Sequence, residues 1–474
     1  MGAPVRREPA EKGWGEEAGQ GEPMAGTRHM LMRSAVLILA LFLRASAQDR
    51  YLIRIQGDVN LFAQNHGLAA LTQPDNSANP VIGSIRPLQR PVPGLYVATL
   101  ASGGAAQAVL QSIQNDPAVL KLEADQKVGL FKGTAASSSH WHLEDSTAAS
   151  GAGSTTYFGT TVWNAYVNQP AAGIVRIANA HQIATGAGTV AFLDTGADFL
   201  NPVLSPVLNF GWDFTTNSPG GFENPAELNQ STTSILDSES IVVLDQSTTS
   251  ILDQSTTSIL DGQPATSDYG HGTMVAGIIH LVAPTASLLP VKVFRNDGTS
   301  DLSTILSGLY WAVDNGAKVI NMSFSMSGPS DELAAAIAYA NSQRVICVAS
   351  AGNDGGDVTV YPAGYGQVIG VGSTNNSDVR SSFSNYGSVV SVAAPGEGVI
   401  TTYPGFQYAA GWGTSFSAPF VSGAAALLVS IRANISESHA LEAISQAVPV
   451  GQGLGAGRLD LYQACSYQAA KTGN

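Results

Sequence analysis

The stretch LLPVKVFRNDGTSDLSTILSGLYWAVDNGAKVINMSF, residues 288–324, decides the fold. Leu288–Val293 and Val319–Phe324 are short apolar runs of strand length, and Leu302–Val313 between them reads as a helix. A strand, a helix and a second strand in so short a span make one unit of a parallel sheet. The pattern repeats outward in both directions. Further strands are predicted at Thr189–Leu193, Val345–Ser350 and Val368–Val371, and helices over Gly272–His280, Asp331–Ala340, Ser415–Val429 and Glu437–Ala447. The fold class is therefore α/β, a parallel sheet with helices on both faces, beginning near residue 186.

Upstream the pattern differs. Tyr51, Ile53 and Ile55 alternate as one face of a half-buried strand, and a second such run covers Leu95–Leu100. A helix-like stretch, Ala105–Ile113, lies before the apolar run Val119–Leu122, so residues 48–133 read as a small α+β unit. The Gly, Ser and Thr-rich stretch Gly133–Thr156 reads as a flexible linker, and 134–185 as linker and lead-in to the larger domain. Earlier still, residues 30–47 (MLMRSAVLILALFLRASA) carry Arg33, the apolar run Ala35–Leu43 and the small-residue pattern Ala45-Ser46-Ala47, the layout of an export signal cut before Gln48. The apolar run is too short to cross about 30 Å of hydrocarbon as a helix. Residues 1–29 are polar, which makes Met24 or Met30 the expected start and leaves 1–47 as extension plus signal peptide.

The 474 residues are 44% hydrophobic and only 12% charged, the composition of a compact globular chain. A net charge of -14 without any basic stripe argues against a nucleic-acid partner. No further segment reaches 18 consecutive apolar residues, so the mature form is expected to be secreted, free of the membrane, and monomeric. Two cysteines, Cys347 and Cys465, are too few for a disulfide framework, and Cys347 in an apolar run reads as a buried thiol.

One segment is repetitive. QSTTSILD occurs at 230–237, 246–253 and 254–261, with SESIVVLD filling 238–245. Four tandem octads in a surface loop add residues at small entropic cost, and the insertion is read as neutral.

Four polar residues stand where chemistry could occur. Asp194 ends the apolar run Val190–Leu193, and open α/β sheets bind ligands at the carboxyl ends of their strands. Alone it reads equally as a turn or cap residue. His271, in Asp268-Tyr269-Gly270-His271-Gly272-Thr273, precedes an apolar helix with glycines on either side that leave the imidazole unobstructed. Ser415, in Gly413-Thr414-Ser415-Phe416-Ser417-Ala418-Pro419, opens another apolar helix, where N–H groups and the positive dipole end suit a developing oxyanion. Serine is also an ordinary N-cap. Asn353 follows the run Val345–Ser350, and its amide can donate to an oxyanion without changing charge.

Together the four motifs, in the order Asp, His, Ser, resemble the subtilase family of serine peptidases over residues 186–468. The resemblance implies that Ser415 is the nucleophile, His271 the general base and acid, Asp194 the orienter of the imidazole, and Asn353 an oxyanion donor. It implies that Ser323-Phe324-Ser325 is the strand on which an extended polypeptide substrate pairs. It also makes residues 48–133 an inhibitory, ferredoxin-like prodomain that the enzyme cuts from itself. No cofactor is needed for this chemistry. Val203-Leu204 follow Asn201-Pro202 where many members have a calcium-binding Asp, and the helix after His271 lacks the ligand-bearing loop, so that calcium site is expected to be absent while one elsewhere stays open. Met274 stands where the family often has a second His. Two alternatives remain at this point: a non-catalytic binding protein that keeps the fold, and a protease limited to cutting itself.

Overall fold

The computed structural model describes residues 48–74, 81–101, 103–130, 153–223, 241–244 and 268–473, with backbone alone at 48–49 and 241–244. The export signal, the boundary at 133 and nearly all of the octad array lie outside the described residues.

The N-terminal part is a five-stranded sheet in the order Ala69–Ala70, Ser84–Val92, Leu95–Ala101, Gln48–Ile55, Val119–Ala124, with helices Val59–Asn65 and Gly104–Gln114. Every predicted element of this region is present. The longest strand, Ser84–Val92, escaped the sequence reading because Pro87 and Pro91 interrupt it, and its pairing with Leu95–Ala101 shifts between Pro87 and Val92. The expected half-burial also fails. Tyr51, Ile53 and Ile55 pack with Phe62 and Ile113 on one face, while Leu52, Leu88, Leu95 and Val97 on the other join the core of the larger domain. A sheet covered on both sides needs apolar residues at successive positions, which alternation alone does not reveal.

The larger domain is built on an eight-stranded sheet in the order Ser218–Gly220, Gly211–Asp213, Ser287–Lys292, Thr189–Asp194, Ala317–Met322, Ile346–Ser350, Ile369–Thr374, Val392–Pro395. All pairings are parallel except the outermost one, Ser218–Gly220 with Gly211–Asp213. Side chains alternate between two cores. Val190 and Phe192 face the helices His271–Val282 and Thr414–Ile431, whereas Ala191 and Leu193 face Leu302–Asp314 and Asp331–Ser342. Strand order reverses around Thr189–Asp194: the chain passes out to Gly211–Asp213 and Ser218–Gly220 and back to Ser287–Lys292 on one side, then over to Ala317–Met322 on the other. Such a reversal opens a crevice at the carboxyl ends of the strands. The helix Thr414–Ile431 has the length and apolar composition to cross a membrane, but 89% of that stretch is buried inside the protein.

Two features modify the sequence reading. Ser154–Tyr157, at the end of the expected linker, is a strand paired with Thr160–Trp163, and three short helices follow over Asn164–Asn168, Pro170–Ile174 and Ile177–Ala180. The Tyr157 hydroxyl donates to Leu281 O at 2.6 Å and that of Tyr166 to Gly277 O at 2.7 Å, so this lead-in belongs to the large core. Of the octads, Ile241–Leu244 runs antiparallel to Gln407–Gly411 as the outer strand of a three-stranded sheet. Cys347 and Cys465 are buried, free thiols, each pushed up to about 12 by burial.

His280 faces the first core on the His271–Val282 helix. It is 3% exposed, and neither ring nitrogen finds a hydrogen-bond partner among the described residues. Burial lowers its pKa from 6.5 to about 4. Above 6.5 the ring is neutral in folded and unfolded chains alike and adds no pH dependence. As pH falls from 6.5 toward 4, the unfolded chain takes up a proton that the folded chain refuses, and stability drops by roughly 3 kcal/mol. Denaturant unfolding of a His280→Phe variant, run at pH 7.5 and 4.5 in a Ser415→Ala background, is expected to show a smaller acid loss than its parent. An equal loss in both proteins would remove His280 from the account.

Candidate active site

Asp194 is the last residue of its strand and lies beside Lys292 on the neighbouring one. Its Oδ1 accepts from Thr195 N at 2.8 Å and from His271 Nδ1 at 2.7 Å. A carboxylate can only accept, so the proton sits on Nδ1 and Nε2 is the basic nitrogen of the ring. Asp194 and His271 are both 0% exposed, where an ionic hydrogen bond is strong and holds its geometry.

His271 opens its helix, and the glycines beside it have a backbone role. Gly270 has φ +92°, and a Cβ there would lie 2.4 Å from the Tyr403 ring. A Cβ on Gly272 would lie 2.0 Å from the Gly196 carbonyl oxygen. The sequence reading has these glycines clearing space around the imidazole; their stronger effect is to let the helix start press against the turn that carries Asp194.

Ser415 is the second residue of the Thr414–Ile431 helix. Pro419, four residues on, has no N–H to offer the Ser415 carbonyl. Ser323 fills that place: its hydroxyl donates to Ser415 O at 2.9 Å, and the Ser415 hydroxyl donates to Ser323 O at 3.2 Å. Behind them Asn321 Nδ2 donates to Ser323 Oγ at 2.9 Å, and Ser422 Oγ donates to Asn321 Oδ1 at 2.8 Å. This buried chain ties the helix to the end of the Ala317–Met322 strand. The Phe416 ring lies 5.5 Å from the His271 ring, centre to centre.

Asn353 follows the Ile346–Ser350 strand. Its Oδ1 accepts from Thr414 N and Thr414 Oγ1, each at 2.9 Å. Because a backbone N–H can only donate, these bonds identify the oxygen and turn the NH2 group away from Thr414. The four residues singled out in the sequence thus gather at the carboxyl ends of three neighbouring strands, held by buried hydrogen bonds. An acid, a base, a hydroxyl and an amide donor in such a crevice are the parts of an acyl-transfer site.

The segment Ser323-Phe324-Ser325 differs in detail from expectation. The strand predicted to reach Phe324 ends at Met322, since Ser323 turns its polar atoms to Ser415. Phe324 is buried against Phe294, ring centres 5.3 Å apart, and takes no part in a surface groove. Ser325 pairs antiparallel with Gly129. On its other side Lys127–Gly129 pairs antiparallel with Thr299–Asp301, and Leu130 N donates to Gly298 O at 2.9 Å. An extended piece of the chain itself therefore lies between Thr299–Asp301 and Ser325, with Val128 and Leu130 buried at alternate positions.

Two carboxylates missed in the sequence hold the N-terminal part to the same face. Glu123 accepts from Ser330 Oγ at 2.5 Å and Asp331 N at 3.0 Å, at the start of the Asp331–Ser342 helix. Asp125 accepts from Ser303 N and Ser303 Oγ, both at 2.8 Å, at the start of the Leu302–Asp314 helix. Helix starts carry unpaired N–H groups and a positive dipole end, which an anion satisfies. Burial pushes both carboxyls above the usual range; Arg50, 2.8 Å from Asp125, opposes the rise there. Their only trace in the sequence is an acidic pair two residues apart, at and just past the end of a strand read for its apolar residues.

The chain is similar to known proteins over its larger domain. A model of the subtilase family matches residues 186–454. Subtilisin BL of Lederbergia lenta is 44% identical over 177 residues, which are 35% of this chain and 66% of that protein, just under two thirds of its length. Thermitase of Thermoactinomyces vulgaris is 33% identical over 308 residues, covering 62% of this chain and 94% of thermitase. A solved structure described as a lanthipeptide protease superposes with a TM-score of 0.50 at 24% identity, over 63% of this chain and 93% of the other, a likeness of fold.

Proposed function

The chain belongs to the subtilase family, and on that premise we propose that it is a secreted serine endopeptidase made as a self-inhibited precursor. The observation that carries the reading is the buried Asp194–His271 pair, 2.7 Å apart, beside a serine whose backbone and hydroxyl are both held by Ser323.

In this mechanism the Ser415 hydroxyl swings from the Ser323 carbonyl to His271 Nε2 by rotation about one bond. As Oγ attacks the substrate carbonyl carbon, its proton passes to Nε2, and Asp194 balances the imidazolium so formed. The carbonyl oxygen becomes an oxyanion, bound by the Asn353 NH2 group and the Ser415 backbone N–H in the unpaired first turn of its helix. When the tetrahedral species collapses, the C–N bond breaks and His271 returns the proton to the leaving amine. Water then attacks the acyl-Ser415 ester by the same steps and restores the hydroxyl. The donors are N–H groups throughout, so no metal ion is needed for a step.

Three features support a precursor. The extended segment Lys127–Gly129 occupies the space between Thr299–Asp301 and Ser325 where a polypeptide substrate would add as a strand. Ser415 is 1% exposed in the chain that carries this segment. Glu123 and Asp125 anchor the N-terminal sheet on two helix starts of the larger domain, an arrangement suited to aiding its folding. Secretion rests on the leader at residues 30–47.

Incubating the purified full chain with an unfolded, unrelated protein tests the reading. Release of an N-terminal piece ending near residue 133, followed by degradation of the added protein, is the expected course. Release of that piece with the added protein left whole would favour a self-limited protease. A folded chain that leaves both intact would return the binding-protein reading.

A further inference from the structure

Glu223 is a buried carboxylate that the mechanism above does not use. It stands next to Phe222, whose backbone bridges Ala197 three residues past Asp194. One oxygen, Oε1, accepts from the Thr195 hydroxyl at 2.6 Å and from Gly270 N at 2.8 Å; the other, Oε2, accepts from the Thr273 hydroxyl. Thr195 follows Asp194, Gly270 precedes His271, and Thr273 lies in the first turn of the His271 helix. The Thr195 hydroxyl in turn accepts from Gly272 N at 2.9 Å, and Thr273 Oγ1 accepts from Asp198 N at 2.9 Å. A single carboxylate therefore joins the residue after Asp194 to the residue before His271 and to the first turn of the His271 helix.

We propose that Glu223 is a positioning residue, which fixes the start of the His271 helix against the Asp194 turn and contributes a negative charge that favours the protonated imidazole. The proposal rests on the reading of Asp194, His271 and Ser415 as the catalytic set. The charged and titratable groups around Glu223 are Asp194 from its strand, Lys292 from the neighbouring strand, Tyr269 from the helix start and Tyr403 from the Val399–Tyr403 strand; beside Tyr269, the buried Asp268 carboxyl, pushed up to about 6 by burial, acts on His271 and Asp194. Lys292 is fully buried and donates to Thr195 O at 2.8 Å, so it acts on the same turn. Burial pushes the Glu223 carboxyl up to about 7, against the pull of the Thr195 and Thr273 hydroxyls and of Lys292. The clamp is accordingly ionised through the alkaline range and weakens as pH falls through neutrality.

Glu223→Gln keeps the shape, removes the charge and sets an NH2 group against the Thr273 hydroxyl, whose oxygen already accepts from Asp198 N. Two readouts are used. In a Ser415→Ala background, NMR of the histidine ring protons follows His271 against pH, with His66 and His439 as internal references. The variant is expected to move the His271 titration to lower pH by about half a unit or more, since a nearby anion has gone. In the active protein, kcat is expected to fall by about tenfold or more while KM stays within about twofold, the mark of misplaced catalytic groups. Loss of thermal stability alone, with the titration and kcat unchanged, overturns the proposal. If the parent and Ser415→Ala proteins prove equally inert, the catalytic reading fails, and the His271 titration still decides the role of Glu223. Should Glu223→Gln not fold, Thr273→Val removes one arm at nearly constant volume and is expected to lower kcat in the same direction by a smaller factor; an unchanged kcat there overturns the clamp.

Discussion

Replacing Ser415 by alanine is expected to lower kcat on a peptide substrate by about 10⁶-fold, the scale on which serine triads lose activity without their nucleophile. The hydroxyl is the only atom removed, and its bond to Ser323 O is one of two between these residues. The second, from the Ser323 hydroxyl to the Ser415 carbonyl, survives the change and keeps the helix start in place. The fold should therefore persist, and the far-UV spectrum and melting point should stay near those of the parent. The variant is also expected to keep its N-terminal part, because self-cleavage needs the same hydroxyl. Trimming it with immobilised parent enzyme separates the two effects: activity that stays low after trimming is a defect of chemistry, whereas recovery to the parent level would place the nucleophile elsewhere.

Asp194→Asn is expected to cost about 10⁴-fold in kcat near neutral pH with little change in KM. The side chain is nearly isosteric and fully buried, so the loss is electronic in origin. If the amide oxygen takes the place of Oδ1, it still accepts from Thr195 N and His271 Nδ1, but no charge balances the imidazolium in a site closed to water. If the amide is reversed, its N–H2 faces Nδ1, forces that nitrogen to accept and moves the ring proton to Nε2, the atom that must receive the serine proton. Either orientation disables the base. Steady-state kinetics on the trimmed variant decide the matter, and a loss below about tenfold would deny Asp194 its orienting role.

Much of this architecture is legible from residue order. The strand–helix–strand unit at 288–324 and its repeats can be read because a buried parallel strand is a short apolar run and a covering helix a longer one. Helix and strand positions then differ from expectation by only a few residues, as at Ala317–Met322, whose end is set by the hydrogen bonds of Ser323 to Ser415. The four polar residues of the site are also visible, each in a short motif next to an apolar run. Reading fails where the cause is distant. Ser154–Tyr157 looks like linker because its composition is Gly, Ser and Thr-rich, yet Tyr157 is bound to a helix end 124 residues away. The strand Ser84–Val92 is hidden by its prolines. Leu52 looks solvent-facing until the larger domain covers that side of its sheet.

Residue order alone thus determined the fold class and the order of the chemical groups along the chain. These are properties of local pattern, since periodicity and neighbouring residue types carry them. Only the tertiary structure decided which polar atoms meet. Glu223 reaches Thr195 and Gly270 across 28 and 47 residues, Asp125 reaches Ser303 across 178, and the Gly129 backbone pairs with Ser325. A hydrogen bond depends on distance and angle in space, and no pattern along the chain encodes that until the sheet has brought its strand ends together.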